Sequence, residues 1–319
     1  MNVVITGAAG FVGSHLVDRY LRDGHHVIGV DNMLTGASAN LDAALGDGKF
    51  QHLRLDVSEP SWIEHPDVRG TDLLLHFASP ASPVDYTRYP IETMLVNSRG
   101  TELCCRLAAK HGARLLFAST SEAYGEPLEH PQSESYWGNV NPVGVRSCYD
   151  ESKRFAEAMV SSFARWHDLD ARIIRIFNTY GPRMRLDDGR VVPNFICQAL
   201  AGQPMTLFGR GQQTRSLCYV DDLVEGVVRC AASDRTRGLV VNLGNPNEQT
   251  IVELAQAICR VVGSEPRFQY RPLPEDDPTR RCPDISRARQ LLGFEPAVSL
   301  ETGLRMTVAD FKGRLSGES

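Results

Sequence analysis

Tyr149-Asp150-Glu151-Ser152-Lys153 sets a phenol and an ammonium group where a helix brings them to one face, one turn apart. Such a pair can serve as a base. A free tyrosine titrates near about 10 and accepts protons poorly at neutral pH, but a close cation favours the phenolate. Lowering the value by roughly three units takes about 4 kcal/mol of differential stabilisation, which close charges supply in a water-poor cleft. The expectation is a Tyr149 whose pKa is pulled down by Lys153. Ala118-Ser119-Thr120-Ser121-Glu122-Ala123-Tyr124-Gly125 closes an apolar run and adds a third group, the Thr120 hydroxyl, at the carboxyl edge of a sheet, where a substrate sits.

A second constellation surrounds Gly7-Ala8-Ala9-Gly10-Phe11-Val12-Gly13, between the first apolar run and a helical pattern. Glycines at this spacing permit a tight turn, close approach of backbone to a pyrophosphate and close packing of helix on strand. The N–H groups at the helix start, around Phe11 and Val12, then face the phosphates. Asp31 ends the second run, where a carboxylate accepts from an adenosine ribose and repels a 2′-phosphate, so NAD is expected rather than NADP. Asn32, Thr35 and Gly36 follow in the same loop, and Ala78 and Ser79 follow the fourth run; all are assigned to the cofactor. Asp56-Val57 is similar to the dipeptide that contacts adenine in dinucleotide-binding proteins of this kind, although an Asp there also commonly caps a following helix. A positive nicotinamide would join Lys153 in favouring the Tyr149 phenolate.

The elements that must hold these groups alternate strand and helix. Strands are expected at Val3 to Thr6, His26 to Val30, Gln51 to Leu55, Leu73 to Phe77, Arg114 to Ala118 and Ala171 to Ile176, and helices at Phe11 to Arg22, Ile91 to His111, Tyr149 to His167 and Val191 to Ala201. That rhythm predicts an α/β chain with a Rossmann-type, doubly wound parallel sheet. After about Asn178 it breaks into Gly- and Pro-rich stretches with helices near 220–233, 250–262 and 284–292, predicting a smaller C-terminal α/β substrate lobe. The division is residues 1–177 for the dinucleotide and mainly 178–312 for the substrate, with a segment near 213–244 returning to the first domain.

Composition narrows the classes. In 319 residues, 34 basic side chains nearly balance 39 acidic ones and leave a net charge of -5, so there is no electrostatic footprint for nucleic acid. No apolar run approaches the roughly 20 residues of a membrane span, and Met1 to Gly7 runs straight into a strand with no leader pattern. The expectation is a cytoplasmic protein. Eight cysteines are scattered without a Cys-x-x-Cys pair or His at metal-ligand spacing, so free thiols and no metal are expected; Cys148 stands out only for adjoining Tyr149.

Thr120, Tyr149 and Lys153 resemble the hydroxyl, tyrosine and lysine triad of extended short-chain dehydrogenase/reductases. The resemblance spans essentially the whole chain. His76-Phe77-Ala78-Ser79-Pro80-Ala81-Ser82-Pro83, Glu134-Ser135-Tyr136-Trp137-Gly138-Asn139-Val140-Asn141-Pro142, Arg175-Ile176-Phe177-Asn178-Thr179-Tyr180-Gly181-Pro182-Arg183-Met184, Asp188-Gly189-Arg190-Val191-Val192, Gly244-Asn245-Pro246 and Asp276-Asp277-Pro278-Thr279-Arg280-Arg281 are similar to UDP-glucuronate decarboxylases, the UDP-xylose synthases. The resemblance implies that Tyr149 takes the sugar 4-hydroxyl proton while a hydride leaves C4. The resulting ketone lies β to the carboxylate, carbon dioxide departs, Thr120 and Tyr149 stabilise the enolate, and the hydride returns.

By the same resemblance Glu122 positions the ring or a proton-shuttling water, and Arg281 contacts the substrate. Ser121, Asn178 and Val191 join the substrate set. Arg183, Arg190 and Arg215 serve cofactor or diphosphate, or form surface salt bridges, because fork-shaped guanidinium groups suit both roles. Related 4,6-dehydratases carry Asp-Glu after the threonine, and Ser121-Glu122 here removes the acid a dehydration uses. A nucleotide-sugar 4-epimerase and a non-catalytic NAD-binding regulator are the rivals; uridine and thymidine nucleotides stay open, as does release of the 4-keto pentose. Leu95, Val145 and Ser152 depart from a lysine, a proline and a glycine in the family pattern. The superfamily's helix pairing implies a homodimer through Ile91 to His111 and Tyr149 to His167, with Leu103, Leu107, Phe155, Met159 and Phe163 as apolar contributors.

Overall fold

Leu73, Leu74 and Leu75 are all buried, yet they serve two different cores. Leu73 and Leu75 join Val3, Ile5, Leu116 and Ile174 on one side of a sheet; Leu74 joins Val4, Leu115, Phe117 and Ile173 on the other. Successive side chains of a strand point to opposite faces, so a strand apolar at every position belongs to a sheet covered on both sides. The computed structural model, which describes residues 1–273 and 280–317, has such a sheet.

Its strands are β1 (Asn2–Thr6), β2 (His26–Val30), β3 (Phe50–Leu53), β4 (Leu73–His76), β5 (Arg114–Thr120) and β6 (Ala171–Ile176), joined by a seventh, Val240–Leu243. In space the order is Val240–Leu243, β6, β5, β4, β1, β2, β3. Every pairing is parallel. The chain leaves β1 in one direction for β2 and β3, then crosses to the other side for β4, and such a reversal opens a crevice beyond the carboxyl ends of the strands. The helix α1 (Phe11–Arg22) starts at that crevice.

Several boundaries differ from the sequence expectation. β3 stops at Leu53 because the Leu55 N–H turns back onto the Leu53 carbonyl, 3.0 Å away. β5 runs to Thr120, pairing with β6 as far as Ile176, and so carries Thr120 on the sheet itself. The expected helix Ile91 to His111 is Pro90–Leu95, a π turn at Val96–Gly100, and Thr101–His111. Thr101 donates its hydroxyl to the Asn97 carbonyl at 2.8 Å in that wider turn, and the Asn97 amide points inward to Ser79 at 3.1 Å and Ser152 at 3.0 Å. π turns of this kind commonly occur at functional sites. The helix carrying Tyr149 spans Ser147–Trp166.

Beyond Phe177 the chain alternates between the sheet and a smaller assembly. The helix Val220–Ala232 and strand Val240–Leu243 join the large sheet's core and edge. The smaller assembly includes a three-stranded sheet in which Thr214–Ser216 lies between Glu248–Thr250, antiparallel, and Arg280–Arg281, parallel. The parallel pair Met205–Phe208 and Phe268–Arg271 completes it, with helices Val191–Leu200, Ile251–Val262 and Leu300–Ser316. Of the family-like string 276–281, positions 276–279 lie outside the described residues. Among the described residues no helix is long and apolar enough to cross a membrane.

Candidate active site

Gly7 adopts φ +72°, open to glycine and strained for other residues, and a Cβ on Gly13 would stand 2.0 Å from the Gly7 carbonyl oxygen. The loop can therefore close onto α1 only with glycine at both places. Gly10 caps α1 without a side-chain bond, and the first turn carries no acidic residue. The N–H groups there open onto a cleft of about 770 Å3 lined by Gly7, Gly10, Phe11, Val12, Gly13, Thr35 and Ser79. A helix N-terminus left uncapped at a cleft suits a pyrophosphate.

Asp31, at the end of β2, accepts from the Ala9 N–H at 3.0 Å and the Met33 N–H at 2.8 Å. Burial raises its pKa, while those N–H donors oppose the shift. A Cβ on Gly36 would approach the Asp31 carboxylate to 3.0 Å, so Gly36 keeps that acceptor accessible. These features fit NAD: glycines and helix N–H groups for the pyrophosphate, and Asp31 for a ribose. Asp56 is occupied locally, taking the Ser58 N–H at 2.8 Å and the Asn32 amide at 2.8 Å. Val57 packs in the core and Ala78 backs the glycine turn. Asp31, Asn32, Gly36, Asp56, Val57 and Ala78 lie beside the cleft rather than in its lining, with Asn32 exposed to solvent.

Tyr149 and Lys153 share a face of the Ser147–Trp166 helix, against the end of β5. The Lys153 ammonium donates to the Ala118 carbonyl at 2.9 Å and lies 5.0 Å over the Phe117 ring. Burial lowers its pKa to about 7 against the opposing charge of Glu157. Tyr149 is stacked on Tyr86, ring centroids 5.1 Å apart and nearly coplanar at 9°. Its pKa goes up to about 12 through burial, opposed by the Thr120 hydroxyl. In the chain alone desolvation prevails, whereas the expected lowering draws also on a positive nicotinamide beside Lys153. Ser152, in the glycine position of the family pattern, accepts from Asn97 and donates to the Tyr149 carbonyl at 3.0 Å, bracing the helix at the site.

Beside the tyrosine, Glu122 lies between two guanidinium groups. Arg146 donates to it at 2.7 Å and Arg281 forms an ion pair with its other oxygen. Burial pushes the Glu122 carboxyl up, but Arg281 and Arg146 outweigh it and hold the pKa at about 2. The negative charge of Glu122, added to burial, lifts Asp150 to about 7. The two guanidinium groups thus favour the ionised form of Glu122. Arg281 is buried, donates also to the Gly125 carbonyl at 3.2 Å, and its Nε has no hydrogen-bond partner.

The remaining assignments divide. Ser121, Asn178, Arg183, Arg190, Val191 and Arg215 all line the cleft. The buried Asn178 Oδ1 lacks a partner, an arrangement that costs stability until a ligand supplies a donor. Arg190 is held by both oxygens of Asp188, and Arg183 reaches Asp18 at 2.6 Å. Arg215 donates to the Thr214 carbonyl at 2.9 Å. Arg146 and Tyr86 were missed by the sequence reasoning. Arg146 precedes Tyr149 by one turn, a spacing that places it on the same face; the Tyr86 stack joins distant segments and leaves no local signal. Leu95 and Val145 are exposed at the surface. The Cys148 thiol donates to the Tyr86 carbonyl and is pushed up by burial, so it is no ready nucleophile.

The model of the NAD dependent epimerase/dehydratase family matches residues 3–244. The chain is 49% identical over 318 residues to UDP-glucuronic acid decarboxylase 4 of Arabidopsis thaliana, covering 100% of this chain and 70% of that protein. To UDP-glucuronic acid decarboxylase 1 of Danio rerio it is 49% identical over 317 residues, covering 99% and 74%. Among solved structures, the UDP-glucuronic acid 4-epimerase of Bacillus cereus in complex with UDP-glucuronic acid and NAD superposes with a TM-score of 0.89 at 26% identity, covering 98% of this chain and 100% of that one.

Lys153 generates a stability prediction. Its folded pKa, about 7, lies below the ordinary lysine value of 10.5, so between those values the unfolded chain binds more protons and stability rises with pH. The cost of the buried ammonium is fully present below about pH 7 and fades toward pH 10.5. Lys153→Met removes it, so urea unfolding should show the variant's stability relative to wild type falling by a few kcal/mol, to order of magnitude, between about pH 6 and about pH 9. A stability difference independent of pH would contradict a charged, desolvated Lys153.

Proposed function

The chain belongs to the NAD dependent epimerase/dehydratase family and within it to the UDP-glucuronic acid decarboxylases, and from that premise we propose that it removes the carboxylate of UDP-glucuronate through a 4-keto intermediate. Bound NAD supplies the hydride acceptor for C4 of the sugar. Gly7, Gly10, Phe11, Val12 and Gly13 would hold its pyrophosphate, with Asp31 toward the ribose and Arg183 near the phosphates. Tyr149 accepts the 4-hydroxyl proton, with Thr120 hydrogen-bonded to it and Lys153 fixing the helix face. Once C4 is a ketone, the C5–C6 bond breaks, carbon dioxide leaves and the electron pair moves into the C4 carbonyl. Hydrogen bonds from Thr120 and Tyr149 stabilise the enolate until C5 is protonated.

The observation that carries the choice of reaction is the place of Glu122 between the guanidinium groups of Arg146 and Arg281. A dehydration needs an acid to protonate the departing 6-hydroxyl. Here position 121 is serine, and Glu122 is kept ionised by Arg281 and Arg146. Loss of carbon dioxide needs no acid at that place. Asn178, Arg190, Arg215 and Arg281 serve the nucleotide sugar, and Ser121 and Val191 shape its pocket. We place the enzyme in the cytoplasm, in keeping with eight free thiols.

We further propose a homodimer, with one correction to its surface. Leu103 and Leu107 are buried in the chain's own core, and Phe163 is packed against it. The outward apolar groups of the two helical segments are instead Ile91, Met94, Leu95 and Phe155, from 45% to 62% exposed, and Trp166, 80% exposed. A second copy covering them across a two-fold axis removes that surface from water. Light scattering at micromolar concentration should give twice the chain mass; a strictly monomeric mass contradicts the dimer.

Tyr149→Phe removes the accepting oxygen and keeps the stack on Tyr86, so turnover should fall by about a hundredfold to ten-thousandfold with the fold intact, and no NADH absorbance should grow on adding UDP-glucuronate. Glu122→Gln, although isosteric, leaves two guanidinium groups without their shared counter-charge. It should destabilise the chain by about 3–5 kcal/mol as well as slow turnover, whereas Tyr149→Phe leaves unfolding nearly unchanged. Near wild-type release of carbon dioxide by Tyr149→Phe would overturn the assignment.

A further inference from the structure

We propose that His130, Glu248 and Cys282 form a zinc(II) site behind the Glu122–Arg281 pair, outside the catalytic cleft. One imidazole nitrogen, one carboxylate oxygen and one sulfur, from three separate chain segments, all lie within 4.8 Å of one another. Zinc bonds to such atoms at about 2.0–2.3 Å, so small side-chain rotations bring all three onto one ion. His130 Nε2 and a Glu248 oxygen are already 3.0 Å apart. Both side chains are 25% exposed while Cys282 is buried, which leaves the fourth tetrahedral position to water.

The surroundings are built to hold the ligands. Gln132, fully buried, takes the Cys282 N–H on its side-chain oxygen at 2.9 Å, and its own N–H donates to the Cys282 carbonyl at 2.9 Å. The Thr214 hydroxyl donates to the other Glu248 oxygen. Ser216, in register with Glu248 and fully buried, sits beside the Cys282 thiol. Its hydroxyl has no other hydrogen-bond partner, so it is placed to donate to a thiolate. Outer donors of this kind orient metal ligands and tune them.

Thiolate with imidazole and carboxylate selects zinc over magnesium or calcium, which take all-oxygen shells. On binding, the thiol proton passes to solvent and no electron is transferred. The ion would tie the loop around His130 to the strand end after Arg281, bracing the segment that carries the Glu122 partner. Sequence spacing gave no hint of this, because the ligands are far apart in the chain and converge only through the three-stranded sheet.

The test titrates the chelator-washed full chain with zinc chloride against a chromophoric chelator, and separately with cobalt(II) chloride. The expected results are one zinc per chain, a rise in Tm with zinc, and a near-ultraviolet sulfur-to-cobalt absorption. Cys282→Ser should abolish that absorption and weaken zinc binding by more than the about 10–100-fold that loss of an outer partner costs. His130→Ala, a change at a partly exposed ring, should weaken zinc comparably while keeping the wild-type circular dichroism. Wild-type chain without the sulfur-to-cobalt absorption, or equal zinc binding by wild type and both variants, would overturn the proposal.

Discussion

Lys153 holds its ammonium group 2.9 Å from the Ala118 carbonyl at the end of β5, almost sealed from water. A carbonyl at the last residues of a strand has no helix to bond with, and a lysine one turn beyond Tyr149 reaches it. That bond fixes the rotation of the Ser147–Trp166 helix against the sheet, and so decides that Tyr149 faces Thr120 and the cleft. The cost is desolvation of a cation, visible in the fall of its pKa to about 7. Glu157, one turn further along, compensates in part and is itself tied to Arg175 at 2.7 Å and to the Ser119 hydroxyl at 2.5 Å. The catalytic face of the helix is thus braced by a buried polar chain that a hydrophobic packing could not aim as narrowly.

The same balance of burial against charge assigns roles to neighbouring groups. Glu122 and Asp150 are both buried carboxyls close to Tyr149, yet one is held near 2 and the other is raised to about 7. Two guanidinium groups make the difference. Arg146 comes from the start of the Ser147–Trp166 helix and Arg281 from an edge strand of the three-stranded sheet. The clamp on Glu122 therefore ties that helix to the smaller assembly. The Asn178 amide oxygen and the Arg281 Nε have no hydrogen-bond partner among the described residues.

The large sheet was legible because short, mostly apolar runs alternate with helical patterns, and the glycine turn because it lies between the first such run and the first helical pattern. Helix period places Tyr149 and Lys153 on one face, and a strand end places Thr120 near them, so their proximity could be read locally. The π turn at Val96–Gly100 was not, since an apolar helical pattern runs through it and only the inward amide of Asn97 reveals it. The depth of burial at Tyr149 and Lys153 was not legible, because sequence shows a neighbouring cation but not how far both groups are withdrawn from water. Arg146 was overlooked although its spacing to Tyr149 was on the page. Leu103 and Leu107 were assigned to an outer surface because periodicity shows that a face is apolar and not what covers it.

UDP-glucuronate labelled with carbon-13 at C6, incubated with the chain and NAD, distinguishes decarboxylation from epimerisation. Decarboxylation sends the label out as carbon dioxide, one molecule for each sugar consumed, with a UDP-linked pentose or its 4-keto form as the nucleotide product by NMR and mass. Conversion to a six-carbon UDP-uronate epimer that keeps the label at C6, with no carbon dioxide released, would contradict it.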